Sequence, residues 1–362
     1  MHIVLIEPFM TGSHATWAEE FARFSRHEVT ILSLPGKFWK WRMHGGAVAL
    51  ARMFQEQNLD PDLVLATDML DLTTFLALLP GRRFKTALYF HENQLTYPWS
   101  PDDPDRRGGD RHYGFINYAS ALAANKVLFN SGYHRESFLA ALPEFLGGFP
   151  DFRELETISE IRDKAEVLPL GLDLGRFDAH RTARQTDPPL ILWNHRWEYD
   201  KNPDLFFGTL FRLAEEGIPF EVAVLGERFA RVPPIFREAR KRLGDRIVHF
   251  GFAPDFSEYA TWLWRADILA ACAEHDFFGA SVVQAIYCNC RPLLPNRLAY
   301  PEHIPADLRK HILYDSEEQF FAALKNLLLN RDELKPTASQ NWVKKYDWLR
   351  LIGQYDDLLQ TI

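Results

Sequence analysis

The chain predicts an α/β protein with two doubly wound, parallel sheets in separate domains. Short apolar runs alternate with segments of helical spacing along its whole length, the βαβα order that builds parallel sheets. The alternation breaks once, at a polar proline-containing run, and then resumes. A length of 362 residues is one at which a single core ordinarily splits in two.

Residues 2–7 (HIVLIE) read as a buried strand entering the turn PFMTGSH, and helical spacing runs from Thr16 to Phe24. EVTILSL is the next strand, AVALARMFQEQ a helix, PDLVLATD a strand and DLTTFLALLP a helix. KTALYFHE, YGFINYASALAA and NKVLFNS continue as strand, helix and strand. Two helical stretches, HRESFLAALPEFLG and DFRELETISEIRDKA, precede AEVLPLGLDLGRF, and RTARQTDPP predicts the linker. The second series reads LILWNHRW (strand), PDLFFGTLFRLAEEG (helix), FEVAVLGE (strand), PPIFREARKRLG (helix) and IVHFGF (strand). SEYATWLWRA, DILAACA, GASVVQAIYCN and RPLLPN follow as helix, strand, helix and strand, before two helical stretches at the C-terminus. Domains are therefore expected at 1–180 and 188–340, with a closing helix in 341–362 that can cross back to the first domain. Ligands of open α/β sheets bind beyond the carboxyl ends of the strands, so two facing sheets predict a cleft between the domains.

Hydrophobic residues make up 47% and charged residues 25%, which excludes a disordered chain. The balance of 41 Lys and Arg against 49 Asp and Glu, net −8, excludes a global basic field, so any nucleic-acid surface must be local. Cys272, Cys288 and Cys290 have neither disulfide-framework nor zinc spacing, and an odd count suits a reducing, cytoplasmic setting. No apolar run reaches the roughly 18 residues of a membrane span.

Chemistry gathers at strand ends. Gly12, Ser13 and His14 follow the first strand and precede a helix, a place where backbone amides meet an anion or where the chain simply turns. His91, Glu92, Asn93 and Gln94 crowd the end of ALYF. In WNHRWEYDK, Asn194 begins a loop whose Arg196 and Lys201 can converge on one diphosphate, or can pair with Glu198 and Asp200. In EHDFFGASVVQ, Phe278, Gly279, Ala280 and Ser281 open a helix with free amides suited to phosphate. Asp276 and Gln284 flank that helix start; a capping aspartate and a surface glutamine is the simpler reading.

This pattern resembles the retaining GT-B glycosyltransferases, whose fold is two Rossmann-like domains facing across a cleft. In that family an Arg and a Lys five residues later bind the donor diphosphate, matching Arg196 and Lys201. Its Glu-x7-Glu motif, which holds the donor sugar and ribose, is matched in position but not in type by Asp276 and Gln284. Asp is one methylene shorter, and Gln can still bond ribose hydroxyls without charge. The stretches IEPFMTGSH, SLPGKFWKWRMHGGA, YFHENQLTYP, FNSGYHRESFL, LPLGLDL, WNHRWEYDKNP, EHDFFGASVVQAIYCNCRPLLP and YPEHIP resemble, more specifically, the tRNA-queuosine α-mannosyltransferases and their bacterial relatives.

The resemblance implies transfer of mannose from GDP-mannose to queuosine in a tRNA anticodon, with no metal or other cofactor. It assigns acceptor binding to the first domain and the nucleotide sugar to the second. Arg196, Lys201 and the amides near Gly279 to Ser281 then stabilise the leaving diphosphate, with Gly12 and Ser13 opposite, His91 on the mannose ring and Asp276 on its hydroxyls. His14, Glu92, Asn93 and Gln94 fall on the acceptor side. Local cations for RNA are Lys37, Lys40 and Arg42 among Trp39 and Trp41, a pair that can equally be core, and Arg106, Arg107, Arg111 and His112 beside Tyr113. Two other readings remain open: a glycosyltransferase with a lipid, polysaccharide or small-molecule acceptor, and a non-catalytic nucleotide-sugar or tRNA binder.

Overall fold

The computed structural model describes residues 1–98, 111–183, 187–227, 232–334 and 338–362. The chain forms two compact units, Met1–Asp173 with Trp348–Ile362, and Leu174–Asp347.

The first unit begins β1 (His2–Met10), α1 (Gly12–Phe24), β2 (Glu28–Pro35), α2 (Trp39–Glu56), β3 (Leu63–Thr67) and α3 (Leu72–Ala77). It continues β4 (Lys85–Phe90), α4 (His112–Ala123), β5 (Lys126–Phe129), α5 (Gly132–Gly147), α6 (Thr157–Asp163) and β6 (Ala165–Val167). The sheet order is β2-β1-β3-β4-β5-β6, all parallel. Ile3, Val4, Leu5 and Ile6 are all fully buried because helices cover both faces, which is why the strand reads as an unbroken apolar run. Val4 and Ile6 join Leu50, Phe54, Phe75, Leu88, Phe129 and Phe138 in the main core of this unit. Pairing of β1 with β2 on one side and β3 on the other makes a topological switch point between β1 and β3.

In the second unit β7 (Leu190–Trp193), α7 (Pro203–Glu215), β8 (Glu221–Leu225), α8 (Ile235–Leu243) and β9 (Ile247–Gly251) come first. α9 (Phe256–Arg265), β10 (Ile268–Ala270), α10 (Ala280–Tyr287), β11 (Arg291–Pro295), β12 (Leu313–Tyr314), α11 (Glu317–Leu329) and the short α12 (Gln340–Val343) complete it. Its order, β12-β11-β10-β7-β8-β9, is again parallel and reverses direction between β7 and β10. Trp193, Phe206, Phe207, Phe236, Leu293 and Phe320 lie in its core. The last helix, α13 (Trp348–Gln360), belongs to the first unit. There the buried Asp356 accepts bonds from Ser25 Oγ (2.6 Å) and the Arg26 amide (3.0 Å), and Trp348 Nε1 donates to Glu20 (2.8 Å).

Several expectations shift. The unit boundary falls at 173/174, not in the polar run 181–189, because Phe177 is buried in the second unit and its carbonyl accepts from Trp264 Nε1 (2.7 Å). The first helix begins at Gly12 rather than Thr16, which makes Gly12, Ser13 and His14 its first turn. The helix expected over 151–165 is confined to 157–163, since Phe152 and Glu154 adopt positive φ (41° and 48°) just before it. The edge strand β12 was not foreseen; two residues carry no periodicity.

Candidate active site

Each unit carries a cluster of buried polar side chains at the carboxyl ends of its strands, near its switch point, where strand ends diverge and leave room for a ligand. In the first unit Glu7, at the end of β1, is fully buried and accepts from the Phe9 amide (2.8 Å) and from His14 Nδ1 (3.0 Å). Burial opposes charge on His14, but the Glu7 carboxylate and its hydrogen bond outweigh it, with help from Asp68 and Glu92, and raise the imidazole pKa to about 9. The ring of His14 lies 4.4 Å from that of His91. His91 has the opposite balance: burial, then the charges on His14 and His134, push its pKa well below the ordinary value, so it is neutral. It is wedged against Trp17 (4.6 Å, edge-on) and Tyr89 (4.9 Å). Its Nε2 is buried with no hydrogen-bond partner among the described residues.

The loop after β4 is held from beneath. Asp68, following β3, accepts from the His91 amide (2.7 Å), and Asn130 Nδ2 donates to the His91 carbonyl (2.9 Å). Burial and the neighbouring Glu92 raise the Asp68 pKa well above the usual carboxylate range. Asn117 donates to the Asp68 carbonyl (2.9 Å) and accepts from the Gln94 amide (2.7 Å). Asn93, expected to face an acceptor, is instead fully buried and accepts from the amides of Leu95 and Thr96, so it shapes the turn. Gln94 Nε2 donates to Glu92 (3.1 Å), and both side chains are half-buried. Glu7, His14 and His91 each offer a ligand atom within 4.8 Å of the others, a group able to hold a metal ion.

In the second unit Trp193 closes β7 inside the core, and Asn194 and His195 follow, both buried. Gly226 at the end of β8 has φ 121°, and a Cβ there would fall 2.0 Å from the His195 carbonyl oxygen, so only glycine lets the two loops approach. Asn194 Nδ2 donates to the Ser281 carbonyl (2.8 Å), and Ser281 Oγ lies 3.3 Å from His195 Nδ1. Arg196 is exposed and meets Glu198 (3.2 Å). Lys201 is buried: its ammonium meets Asp200 (3.0 Å), donates to the His275 carbonyl (2.7 Å) and lies 3.7 Å from Asp276. Both ion pairs offered by the loop's own acidic residues thus form, and the Lys201 pair is sealed from water.

Asp276 is ionised although burial opposes it, because Lys201, His195, His275 and a hydrogen bond from Tyr300 (3.2 Å) together hold its pKa below the usual value. Burial and then Lys201 lower His195 and His275 to about 4, so both imidazoles are neutral. Gly279 begins α10 with φ 86°, and a Cβ would come within 2.9 Å of the Tyr300 ring. No side chain caps this helix, which leaves amides of Ala280 and Ser281 available to an anion. Gln284 accepts from Tyr259 (2.7 Å). Phe278 is buried, with its carbonyl bound to His303 Nε2 (2.6 Å).

Of the expected RNA contacts, Lys37 is exposed and Lys40 and Arg42 half-buried at the start of α2. Arg111 lies over Gly148 and reaches the Phe145 carbonyl (3.4 Å), an anchor at the end of α5. Arg106 and Arg107 lie outside the described residues. Sequence reasoning missed Glu7, Asp68, His195 and Tyr300 as site residues. The signal for Glu7 was present, a charge inside an apolar strand, and likewise His195 ends a strand; Asp68 and Tyr300 meet their partners only through tertiary contacts.

Fold and strand-end clusters together define a GT-B glycosyltransferase. Sucrose-phosphate synthase from Thermosynechococcus elongatus superposes with a TM-score of 0.73 at 12% identity, covering 100% of this chain and 98% of that one. An E. coli trehalose-6-phosphate structure bound to UDP-2-fluoro glucose gives 0.72 at 11%, covering 100% and 99%. Residues 2–172 match the family model described as tRNA-queuosine alpha-mannosyltransferase N-terminal. The tRNA-queuosine alpha-mannosyltransferase of Drosophila melanogaster is 35% identical over 335 residues, 90% of this chain and 86% of the fly protein. The chain belongs to the tRNA-queuosine alpha-mannosyltransferase family. A GDP-mannose-dependent alpha-(1-6)-phosphatidylinositol dimannoside mannosyltransferase of Mycobacterium tuberculosis is 26% identical over 69% of this chain and 61% of its own length. Among the described residues no helix is long and apolar enough to cross a membrane.

Proposed function

We propose that the protein transfers mannose from GDP-mannose to the cyclopentenediol of queuosine in a tRNA anticodon, with retention and without a metal ion. The observation that carries this reading is Lys201, a buried ammonium set 3.7 Å from Asp276 at the second unit's switch point. Family membership supplies the acceptor and the sugar.

As the anomeric C–O bond breaks, negative charge grows on the departing diphosphate. Lys201 is already fixed by Asp200 and the His275 carbonyl, so it meets that charge without reorganising, and the uncapped α10 amides add to it. Arg196, on an exposed arm, exchanges Glu198 for a bidentate grip on phosphate. Asp276 accepts from mannose hydroxyls. The acceptor oxygen bonds the anomeric carbon on the face that the diphosphate leaves, and its proton passes to that phosphate, so GDP departs protonated. Lys37, Lys40 and Arg42 give the first unit local cations for tRNA phosphates.

His91 Nε2, buried and without a hydrogen-bond partner among the described residues, is the group for a mannose hydroxyl. His91→Ala is expected to lower transfer about 10-fold or more with GDP affinity unchanged; a selective loss of GDP binding reassigns the residue to the nucleotide. The metal-free reading rests on the resemblance to the retaining GT-B glycosyltransferases, and the chelator arm of the test addresses it.

The test is incubation with radiolabelled GDP-mannose and two tRNA pools, one containing queuosine and one lacking it, with and without chelator. Label confined to the queuosine pool, at a rate the chelator leaves unchanged, supports the proposal. Likeness to the mycobacterial enzymes favours a lipid acceptor as the second reading; label entering phosphatidylinositol mannosides but neither tRNA pool selects it.

A further inference from the structure

At the start of α2 the sequence KFWKWR places three aromatic rings within four residues, and the structure treats them differently. Trp39 packs with Met43, Met69, Tyr113, Ile116 and Phe9 in a small apolar cluster, with its ring 5.2 Å from Tyr113. Phe38 and Trp41 stand outside it, 76% and 63% exposed. Two large rings left in water forgo roughly 1.5–3 kcal/mol of burial each.

Both are held in place at a cost. Phe38 caps the helix with φ 55° and ψ 56°, a left-handed conformation that is unusual for a bulky residue. Trp41 lies over Gly45 one turn further on, where a Cβ would come within 2.5 Å of its benzo ring. Gly45 therefore provides a seat for the indole while most of the ring stays open. The surroundings are cationic: residues 29–55 contain Lys37, Lys40, Arg42 and Arg52 and no acidic residue, in a chain of net charge −8. The first turns of α2 also adjoin the carboxyl ends of β1 and β2, since a Cβ on Gly46 would touch Pro8 and Leu34. Phe9, which packs with Trp39, has its ring 6.3 Å from that of His14.

We propose that Phe38 and Trp41 form a stacking platform for unpaired nucleotides of the acceptor RNA, beside the Glu7, His14 and His91 cluster. The inference rests on the RNA-acceptor reading and deepens it. Unpaired bases of a loop offer π-faces to exposed aromatics, and lysines and arginines around them take the phosphates. The positive stretch complements a polyanion, and the two rings stack bases irrespective of their identity.

Affinity for queuosine-containing tRNA is to be measured for wild type, Trp41→Ala, Trp41→Phe, Phe38→Ala and Gly45→Ala. Trp41→Ala is expected to weaken binding about 10-fold or more, with GDP affinity unchanged, and Trp41→Phe to restore most of it. Gly45→Ala separates the platform from folding. It improves helix propensity, so the melting temperature should hold or rise, yet it unseats the indole and should weaken RNA binding several-fold. If wild type binds tRNA and the Trp41 and Phe38 variants bind equally well, the platform is overturned and the RNA reading stands. If wild type binds no tRNA, both fall. Loss of binding to phosphatidylinositol vesicles in Trp41→Ala, with tRNA affinity intact, assigns the rings to a lipid surface and likewise overturns the inference.

Discussion

Replacing Lys201 with alanine is expected to cut turnover by about 100-fold or more and to destabilise the second unit by about 3–5 kcal/mol. The two effects have one origin. Lys201 is buried against Asp200 at 3.0 Å and near Asp276 at 3.7 Å, so its loss leaves two carboxylates uncompensated away from water. It also removes the fixed positive charge proposed to meet the departing diphosphate. Arg196→Ala supplies the contrast. Arg196 is exposed and its pair with Glu198 is solvated, so stability should change by less than about 1 kcal/mol while turnover falls by a similar factor. Urea unfolding of each variant beside its kcat with GDP-mannose separates the roles. Wild-type rates for both variants refute the leaving-group assignment, and unchanged stability of Lys201→Ala refutes the buried pair.

Glu7→Gln should reverse the pH dependence that His14 imposes on the first unit. In the native protein His14 titrates near 9 against an ordinary 6.5. Its stabilising contribution is fully present below pH 6.5 and is lost as pH rises through about 9, a change on the order of 3 kcal/mol. Without the carboxylate, burial dominates and the imidazole pKa falls, so the alkaline loss shrinks. The stability difference between wild type and Glu7→Gln should therefore be largest near pH 6.5 and narrow toward pH 9.5, as read by urea unfolding across that range. A difference constant with pH removes the ion pair from the account. The same substitution should lower the His14 imidazole titration seen by NMR below 9.

Much of this architecture was legible because parallel strands covered on both faces must be continuously apolar. LILW and ALYF announce themselves, and the polar residues directly after such runs mark strand ends. That is how His91, Asn194, Arg196 and Gly279 could be picked out, and how long stretches in both halves carried the family resemblance. Cap chemistry was less visible. Gly279 caps α10 without a side chain, so the usual Ser, Thr or Asp signal was missing there, and Thr11 stands at the cap of α1 without making a side-chain cap bond. Trp39 and Trp41 looked alike in sequence; one packs against Tyr113 and the other sits open on Gly45.

The chain by itself determined the order of strands and helices, the division into two α/β units and the strand ends at which chemistry collects, because these depend on local periodicity and hydrophobicity. Tertiary structure alone decided the rest. Residues far apart in sequence had to meet before Lys201 could become a buried cation between Asp200, His275 and Asp276. Only the approach of Glu7, against the opposition of burial, makes His14 a charged group while His91, 4.4 Å away, stays neutral. Protonation depends on desolvation and on the nearest charges, and neither quantity exists until the chain has folded.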